Sequence, residues 1–369
     1  MKILCKRVQL AAGLQNVGGV VPSRTPKEIL KNVKLVVADG KATLVATDQE
    51  VGVRSELLEI ETSDSGEVLL PLQRLTAILR EVSEDAVAIE ATEDALLVKC
   101  GHSEFRLSVS DPGEFPDVPA FSGGQYFSVP GSVLKQGIQR TLFAADVEST
   151  RYALGGVLLD FTEQGLTLAA TDSRRLAVCP VTCTPEGGAE PGVQPGVPSK
   201  SLSMLERTLA SAEEDVRIAV NPHDVIIQSG TTTIYARLVQ GRFPRYQDVV
   251  PRDSTTQIEL VVGPLHSAVR QAMIVTNDES RGVDFRFENG TLTLESQATD
   301  VGTSKVEIPI SYDAEAILVT FDPRFVAEFL RVLEPSAAVS LHLTDANSAA
   351  VFRADENYTY VVMPLAPDR

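Results

Sequence analysis

Hydrophobic and polar residues alternate along this chain with two different periods. Apolar residues recur at helical spacing in six windows, over 6–17, 72–82, 133–145, 200–212, 265–276 and 323–333. Between these windows apolar and polar positions alternate, over 33–57, 86–109, 156–178, 216–238, 283–308 and 339–363. Each third of the chain therefore predicts two helices and two groups of antiparallel strands, which is an α+β fold.

The tripeptide Ala-Thr-Asp marks equivalent points of the three thirds. Its copies lie 124 and 128 residues apart, beginning at Ala46, Ala170 and Ala298. A hairpin-turn signal precedes each copy, and its glycine recurs after 125 residues both times, at Gly40, Gly165 and Gly290. Two features that keep nearly the same spacing independently indicate three copies of one structural unit.

The repeat predicts three domains, over residues 1–122, 126–252 and 254–369. Their boundaries fall at 121–125 (FSGGQ) and 251–255 (PRDST), which are rich in turn residues and lack apolar periodicity. The Thr and Asp of each tripeptide follow a strand, where such side chains usually bond nearby backbone and hold a turn. Paired carboxylates with a chemical role are the alternative for these acids.

Composition indicates a globular protein of a reducing compartment. Of the 369 residues 43% are hydrophobic, which is enough to bury a core in each third. No stretch approaches the roughly 18 uninterrupted apolar residues of a membrane span, and the N-terminus becomes charged too soon for a signal peptide. The four cysteines show no ladder of the secreted kind. We therefore expect a cytoplasmic protein with no membrane partner.

The net charge of −17 argues at first against a nucleic-acid partner, because an acidic surface repels phosphate. The six helical windows have the opposite sign: together they carry about +8, which leaves about −25 for the rest of the chain. If the helices share one face, that face attracts phosphates without sequence preference. The alternative is that Lys and Arg are simply good helix formers whose charged ends lie in water.

The sequence carries no catalytic signature. It contains no Gly-rich phosphate loop, no G-x-S-x-G elbow and no H-E-x-x-H. The four histidines are scattered over the repeats, and Cys179 and Cys183 lack the second ligand pair of a metal site. We therefore expect a protein without enzymatic activity, cofactor or metal.

Four segments, met in order along the repeats, resemble one family. They are 170–178 (ATDSRRLAV), 241–251 (GRFPRYQDVVP), 277–283 (NDESRGV) and 360–364 (YVVMP). Together with Arg24 in the first repeat and Arg151-Tyr152 in the second, they are similar to the bacterial β sliding clamps, the processivity subunits of DNA polymerase III. The similarity runs through essentially the whole chain.

This resemblance implies three similar clamp-type domains per chain, each with two helices and antiparallel sheets, and a head-to-tail homodimer that closes a six-domain ring. Helices would line the hole and contact double-stranded DNA through many weak, sequence-independent contacts. Such a clamp confers processivity by tethering the DNA polymerase III catalytic subunit. It is served by a clamp loader, and it binds other polymerases and repair proteins through short peptide motifs.

The resemblance also assigns residues to three surfaces. The groove for partner peptides maps to Leu154, Thr171, Ser173, Arg174, Arg175, Leu176, Pro244, Val249, Val361 and Met363. Positions that touch the duplex map to Arg24, Arg151, Tyr152 and Lys200. The dimer interface maps to Arg74, His102, Glu104, Phe105, Leu107, Ile274, Val275 and Lys305. Read without the family, Leu154, Leu176 and Val361 are more typical of ordinary core.

Several positions depart from the family pattern. Ser173-Arg174 stands where the family groove has Gly-His, and Ala153 stands where a second aromatic residue often follows Tyr152. The best-known clamps have basic residues where this chain has His102 and Glu104, opposite an acidic segment of the partner. That segment, 301–306 (VGTSKV), here contains Lys305 and no acid. We therefore predict that Glu104 and Lys305 meet across the interface.

Two other functions are alternatives to a clamp. The first is a protein-interaction scaffold that keeps the groove but does not close on DNA, and the six basic helices favour the clamp over it. The second is a cytoplasmic enzyme built from triplicated α+β modules. An enzyme needs a cleft with converging ionisable groups, and the sequence offers none.

Overall fold

The computed structural model describes residues 1–62, 64–92, 95–146, 152–209, 214–355 and 357–365. These residues form two compact units, each assembled from separate stretches of chain. Unit 1 contains Met1–Lys135, Cys183–Pro191 and Lys200–Leu238. Unit 2 contains Gln136–Thr182, Gly192–Ser199 and the chain from Val239 onwards. The middle third of the sequence is therefore divided between the two units.

All six predicted helices are present, with ends that differ by a few residues from the predicted ones. They are α1 (Arg7–Gly18), α2 (Leu72–Glu81), α3 (Gly131–Thr141), α4 (Ser199–Thr208), α5 (Val262–Ala272) and α6 (Pro323–Arg331). A strand ends at the residue before each of the first five helices, and one residue, Asp322, separates strand and helix at α6. Asp322 caps α6, because its carboxylate accepts a hydrogen bond from the backbone N–H of Arg324.

Unit 1 contains two antiparallel sheets. Sheet A has, in spatial order, β5 (Ile60–Thr62), β1 (Lys2–Lys6), β7 (Ala86–Ala91), β8 (Ala95–Cys100) and β9 (Ser103–Ser108). Sheet B has β14 (Thr184–Glu186), β10 (Tyr126–Pro130), β16 (Asp215–Val220), β17 (Asp224–Ser229), β18 (Thr232–Arg237), β4 (Val51–Leu57), β3 (Lys41–Thr47), β2 (Asn32–Ala38) and β6 (Gly66–Pro71).

Unit 2 also contains two antiparallel sheets. Sheet C has, in spatial order, β15 (Gly196–Pro198), β11 (Gly156–Thr162), β12 (Gly165–Thr171), β13 (Arg175–Val181), β26 (Tyr358–Val362), β25 (Ala350–Ala354), β24 (Ala338–Leu343) and β19 (Thr256–Val261). Sheet D has β22 (Gly302–Pro309), β21 (Thr291–Ala298), β20 (Val283–Glu288) and β23 (Ile317–Phe321).

Two of the sheets cross the boundaries of the sequence repeat. In sheet B, β18 of the middle third pairs with β4 of the first third, for example Ile234 with Val53. In sheet C, β13 of the middle third pairs with β26 of the last third, for example Leu176 with Val361. The packing units therefore differ from the sequence repeats because backbone hydrogen bonds join strands of neighbouring repeats.

Two of the predicted hairpin turns have both central residues at positive φ. Asp39 (51°) and Gly40 (74°) join β2 to β3, and Asn289 (48°) and Gly290 (73°) join β20 to β21. Such residues suit the type I′ turn, which needs two left-handed positions. The middle hairpin differs by one position, because Gly165 is already the first residue of β12.

The first two Ala-Thr-Asp tripeptides hold turns, as predicted. The Asp48 carboxylate accepts hydrogen bonds from the backbone N–H groups of Glu50 (3.0 Å) and Val51 (2.8 Å). The Asp172 carboxylate accepts the equivalent bonds from Arg174 (2.9 Å) and Arg175 (3.0 Å). The preceding threonines reinforce both turns by donating to the backbone carbonyls of Val51 and Arg175. At the third copy the turn is closed by a backbone hydrogen bond, in which the N–H of Val301 donates to the carbonyl of Ala298.

Each unit packs its helices against its sheets through apolar side chains. α1 contacts α2, β3 and β4, and α5 contacts α6, β21 and β22. On α6 the buried residues Phe325, Val326, Phe329 and Leu330 follow the spacing of a helical stripe. The exposed helix faces carry polar and charged side chains together with a few apolar ones, such as Val8 of α1.

Candidate functional site

An apolar cluster lies where five strands of sheet C meet the segment 241–250. Its buried members come from β11, β12, β13, β25 and β26 and from that segment, and are Leu158, Ala169, Leu176, Tyr246, Val351 and Val361. Two of the predicted groove residues, Leu176 and Val361, belong to this cluster. Leu154 and Thr171 are buried as well. These four residues can form the floor of a groove but offer little surface of their own.

Three further predicted groove residues are exposed above this floor. Val249 and Met363 are 50% and 43% exposed, so both present apolar surface to solvent. Pro244 is exposed too, in the same segment as Phe243, which packs against the cluster. The backbone N–H of Met363 donates to the carbonyl of Arg174 at 2.8 Å. Exposed apolar side chains next to a buried apolar cluster offer a surface that hydrophobic anchors of a ligand can contact.

A buried acid that the sequence reasoning missed fixes the segment 241–250. The Tyr246 hydroxyl donates to Asp160 Oδ2 at 2.8 Å, and Gln194 Nε2 donates to Asp160 Oδ1 at 2.9 Å. Burial, together with the Asp160 carboxylate, raises the pKa of the Tyr246 phenol, which therefore remains a donor at neutral pH. The sequence feature that could have revealed this buried acid is a single carboxylate within the otherwise apolar strand GVLLDFT.

Arg175, predicted as a groove residue, directs its guanidinium into unit 2. Its side chain is only 9% exposed. The guanidinium donates to Asp172 Oδ2 at 3.0 Å, to the carbonyl of Phe143 at 2.7 Å and to Glu328. It also lies 4.4 Å from the ring centroid of Phe325. Arg175 thus joins the Ala-Thr-Asp turn to α6 and supports the groove from within rather than lining it.

Ser173 and Arg174 occupy the exposed tip of the same turn. Ser173 has a φ of 73°, a left-handed conformation that glycine adopts more readily. The Arg174 side chain is 59% exposed and lies 5.0 Å from the ring centroid of Phe325. Arg174 is therefore available to a ligand at the rim of the groove.

Of the four predicted DNA contacts, the structure describes the side chains of two, both in unit 1. Arg24 is exposed in the segment that follows α1. Lys200, on α4, forms an ion pair with Asp48 of the first Ala-Thr-Asp turn. Arg151 lies outside the described residues, and so does the side chain of Tyr152, whose backbone begins a short 3-10 helix.

The cations of the helices do not all face solvent, which corrects the charge count from sequence. Arg140 of α3 is buried, forms an ion pair with Asp355 and lies 5.0 Å from the ring centroid of Tyr358. Arg324 of α6 pairs with Asp322 at 2.8 Å. The exposed helix arginines with no ion pair among the described residues are Arg74, Arg80, Arg207, Arg270 and Arg331.

Three basic side chains meet on α5 and α6. Burial, with Arg270 and Arg331 nearby, lowers the pKa of His266, so this histidine is neutral at pH 7. The positive charge at this point therefore comes from Arg270 and Arg331. Neither arginine forms an ion pair with a carboxylate within the described ranges. Such a surface attracts phosphates.

The predicted interface residues lie at or beside the free edges of two sheets. In unit 1, β9 ends sheet A and carries Glu104, Phe105 and Leu107. In unit 2, β22 ends sheet D and carries Lys305. Ile274, in the short helix after α5, is 76% exposed. His102, Arg74 and Val275 also retain exposed surface.

Two features are absent from the part of the chain that the structure describes: a cluster of metal ligands and a membrane-spanning helix. No group of three or more His, Cys, Asp or Glu side chains there could hold a metal ion. None of the described helices is long and apolar enough to cross a membrane.

Comparison with known proteins gives a consistent result over the whole chain. Residues 1–119, 128–245 and 247–366 match, in order, the N-terminal, central and C-terminal domain families of the DNA polymerase III beta subunit. A beta sliding clamp of Pseudomonas putida is 32% identical, and the alignment covers 99% of this chain and 100% of that protein.

Solved structures agree with the sequence comparison. The crystal structure of the DNA polymerase III subunit beta from Pseudomonas aeruginosa matches with a TM-score of 0.91 and 30% identity, over 99% of this chain and 100% of that one. A Caulobacter crescentus beta sliding clamp matches with a TM-score of 0.90 and 27% identity, over 99% of both chains. In that structure polyethylene glycol is bound at a region proposed to tether the β-motif.

Proposed function

Because the chain belongs to the DNA polymerase III β-subunit family, the bacterial sliding clamps, we propose that two copies join head to tail into a closed ring around duplex DNA. A sliding clamp is the processivity subunit of its polymerase and catalyses no reaction itself. The observation that supports ring closure is that β9 and β22, which carry the predicted interface residues Glu104 and Lys305, are both edge strands of their sheets. An edge strand offers unpaired N–H and C=O groups to another strand, so β9 of one copy suits β22 of the next.

The exposed helix arginines support an electrostatic hold on DNA. Their side chains lack internal carboxylate partners within the described residues, so they can neutralise phosphates. Contacts to phosphate carry no sequence information and define no preferred register. A ring held by such contacts can slide, and it stays on DNA because the ring is closed. The rest of the acidic chain repels DNA from the other surfaces.

The apolar cluster and its exposed neighbours support a tethering role. A short peptide with hydrophobic anchors can bury Val249 and Met363 against the floor formed by Leu176 and Val361. We propose that this groove binds peptide motifs of the DNA polymerase III catalytic subunit, the clamp loader, other polymerases and repair proteins. Replication of a bacterial chromosome places all of these partners in the cytoplasm.

Retention on DNA tests the proposed ring. The protein is loaded onto nicked circular DNA with its own loader complex, half of the sample is linearised, and the loss of bound protein is followed at moderate salt. We expect the protein to stay on circles and to leave linear DNA from the ends. Equal loss from both substrates, after loading has been confirmed, would show ordinary electrostatic binding and would favour the open scaffold.

The predicted contact between Glu104 and Lys305 can be tested by exchanging charges. Within one chain both side chains are 59% exposed, with Glu104 at 3.8 Å from Lys99 and Lys305 at 2.8 Å from Glu307. We expect Glu104→Lys and Lys305→Glu each to weaken the dimer by about 0.2–1 kcal/mol, and the double variant to restore it. Dimer dissociation constants give the comparison. If the double variant is no tighter than the single variants, the two residues do not meet.

A further inference from the structure

Exposed arginines surround the apolar cluster. Two of them line a cavity of about 500 Å³ together with Leu158 of the cluster. Two others line a smaller cleft with Val351 of the cluster, and one stands at the turn before Leu176. We call these five residues the basic rim: Arg174, Arg242, Arg245, Arg252 and Arg353.

The basic rim has almost no internal charge partner. Within the described ranges only Arg174 approaches a carboxylate, that of Asp172, and the distance is 4.0 Å. Elsewhere on the surface the exposed lysines usually have a partner. Lys2, Lys6 and Lys41, for example, lie 2.5–3.1 Å from glutamate oxygens. Like the exposed arginines of the helices, this set remains almost unpaired in a chain with 17 more acidic than basic residues, and this set lies around the apolar cluster.

Nearby acids do not neutralise this rim. The Asp160 carboxylate is buried and occupied by Tyr246 and Gln194, and Glu328 is held by Arg175. Asp248 and Asp253 are exposed in the same segment as three of the arginines, but neither forms an ion pair with them. Arg174 also lines a second cavity that contains Asp278, Glu279 and Asp322, so the net positive charge lies on the side of the other four arginines.

We infer that this groove selects partner segments in which an apolar anchor is flanked by acidic residues. This inference rests on the proposed peptide-binding function of the groove. The anchor contacts the exposed side chains of Val249 and Met363, and the flanking carboxylates receive charge-assisted hydrogen bonds from the rim guanidinium groups. Duplex DNA is the other polyanion available to this protein, but phosphates gain nothing from the apolar side chains that the rim encloses.

Peptide selection tests the inference without assuming a motif. The full-length protein is used to select binders from a random peptide library, and fluorescence anisotropy then gives dissociation constants for the strongest binder. We expect selected sequences to combine hydrophobic anchors with flanking Asp or Glu. Replacing those acids by Ser should weaken binding about tenfold at low salt, as expected for a few exposed ion pairs, and much less at high salt.

A charge-matched pair of variants separates the rim from the net charge of the protein. The test variant carries Arg242→Gln, Arg245→Gln and Arg353→Gln. The control variant carries Lys27→Gln, Lys41→Gln and Arg217→Gln, three exposed cations of unit 1. We expect only the test variant to lose the preference for acidic over Ser flanks, while the control variant binds both peptides as the unchanged protein does.

Three outcomes would overturn the inference. They differ in whether they also contradict the proposed peptide-binding groove. Equal affinity for acidic and Ser flanks removes the role of the rim and leaves the groove intact. Absence of saturable binding by any selected peptide removes both the rim and the proposed groove. Displacement of the peptide by a short DNA duplex, with a potency that the test variant loses, assigns the rim to DNA instead.

Discussion

Replacing Ile274 by aspartate is expected to split the proposed dimer into monomers and to abolish retention on circular DNA. In the single chain the Ile274 side chain is 76% exposed, beside the free edge strand β22. Burying such a side chain contributes about 1.5–3 kcal/mol, and a head-to-tail dimer contains two such sites. A buried carboxylate without a partner adds a penalty of several kcal/mol. The two effects act at both interfaces of the proposed ring, so together they weaken the dimer strongly.

Sedimentation at several protein concentrations measures this change, and retention on circular DNA gives its consequence. Leu318→Asp is the matched control, because Leu318 is a partly exposed apolar residue on β23, the opposite edge of the same sheet. We expect Leu318→Asp to remain dimeric. A dimer that forms normally with Ile274→Asp would show that the surface next to β22 is not the interface.

Replacing Arg175 by methionine is expected to destabilise unit 2 by about 3–5 kcal/mol, the cost of leaving buried charges without their partner. The side chain of Asp172 is as buried as that of Arg175, and in the variant this carboxylate loses its closest charged partner. The carbonyl of Phe143 and the carboxylate of Glu328 also lose a donor. Because the same guanidinium links the turn at 171–175 to α6, the groove should lose peptide affinity although Arg175 does not line it.

Hydrogen exchange resolved by segment shows where the stability is lost. We expect faster exchange in β13 and α6 and unchanged exchange in sheet A, which belongs to unit 1. Arg174→Met is the control at the neighbouring position, where the side chain is 59% exposed and the ion pair with Asp172 is long. If Arg175→Met and Arg174→Met have equal effects, the network around Arg175 does not support the groove.

The sequence predicted those features that depend on neighbours along the chain. The helices were found because their buried stripes recur at helical spacing, as Phe325, Val326, Phe329 and Leu330 do on α6. The turns after Ala46 and Ala170 were found because Thr and Asp bond to backbone groups two to four residues away. The family resemblance supplied the groove and interface positions.

Features that depend on distant residues were not predicted. Arg140 and Asp355 are 215 positions apart, and Arg175 and Glu328 are 153 apart, so no local pattern shows that they pair. A charge count along the helices therefore included Arg140 as a free cation although the structure buries it. The division of the middle third between two units was also hidden, because strand pairing across a repeat boundary leaves no periodic signal.

The two sheets that cross the repeat boundaries restrict how this chain could have changed after its duplications. Removing one repeat would break the pairing of β18 with β4 or of β13 with β26, and would expose a row of unpaired N–H and C=O groups. A repeat copied elsewhere in a genome would carry the same open edge. The three repeats can therefore differ in sequence, but each depends on a neighbouring repeat to cover an edge of its sheet.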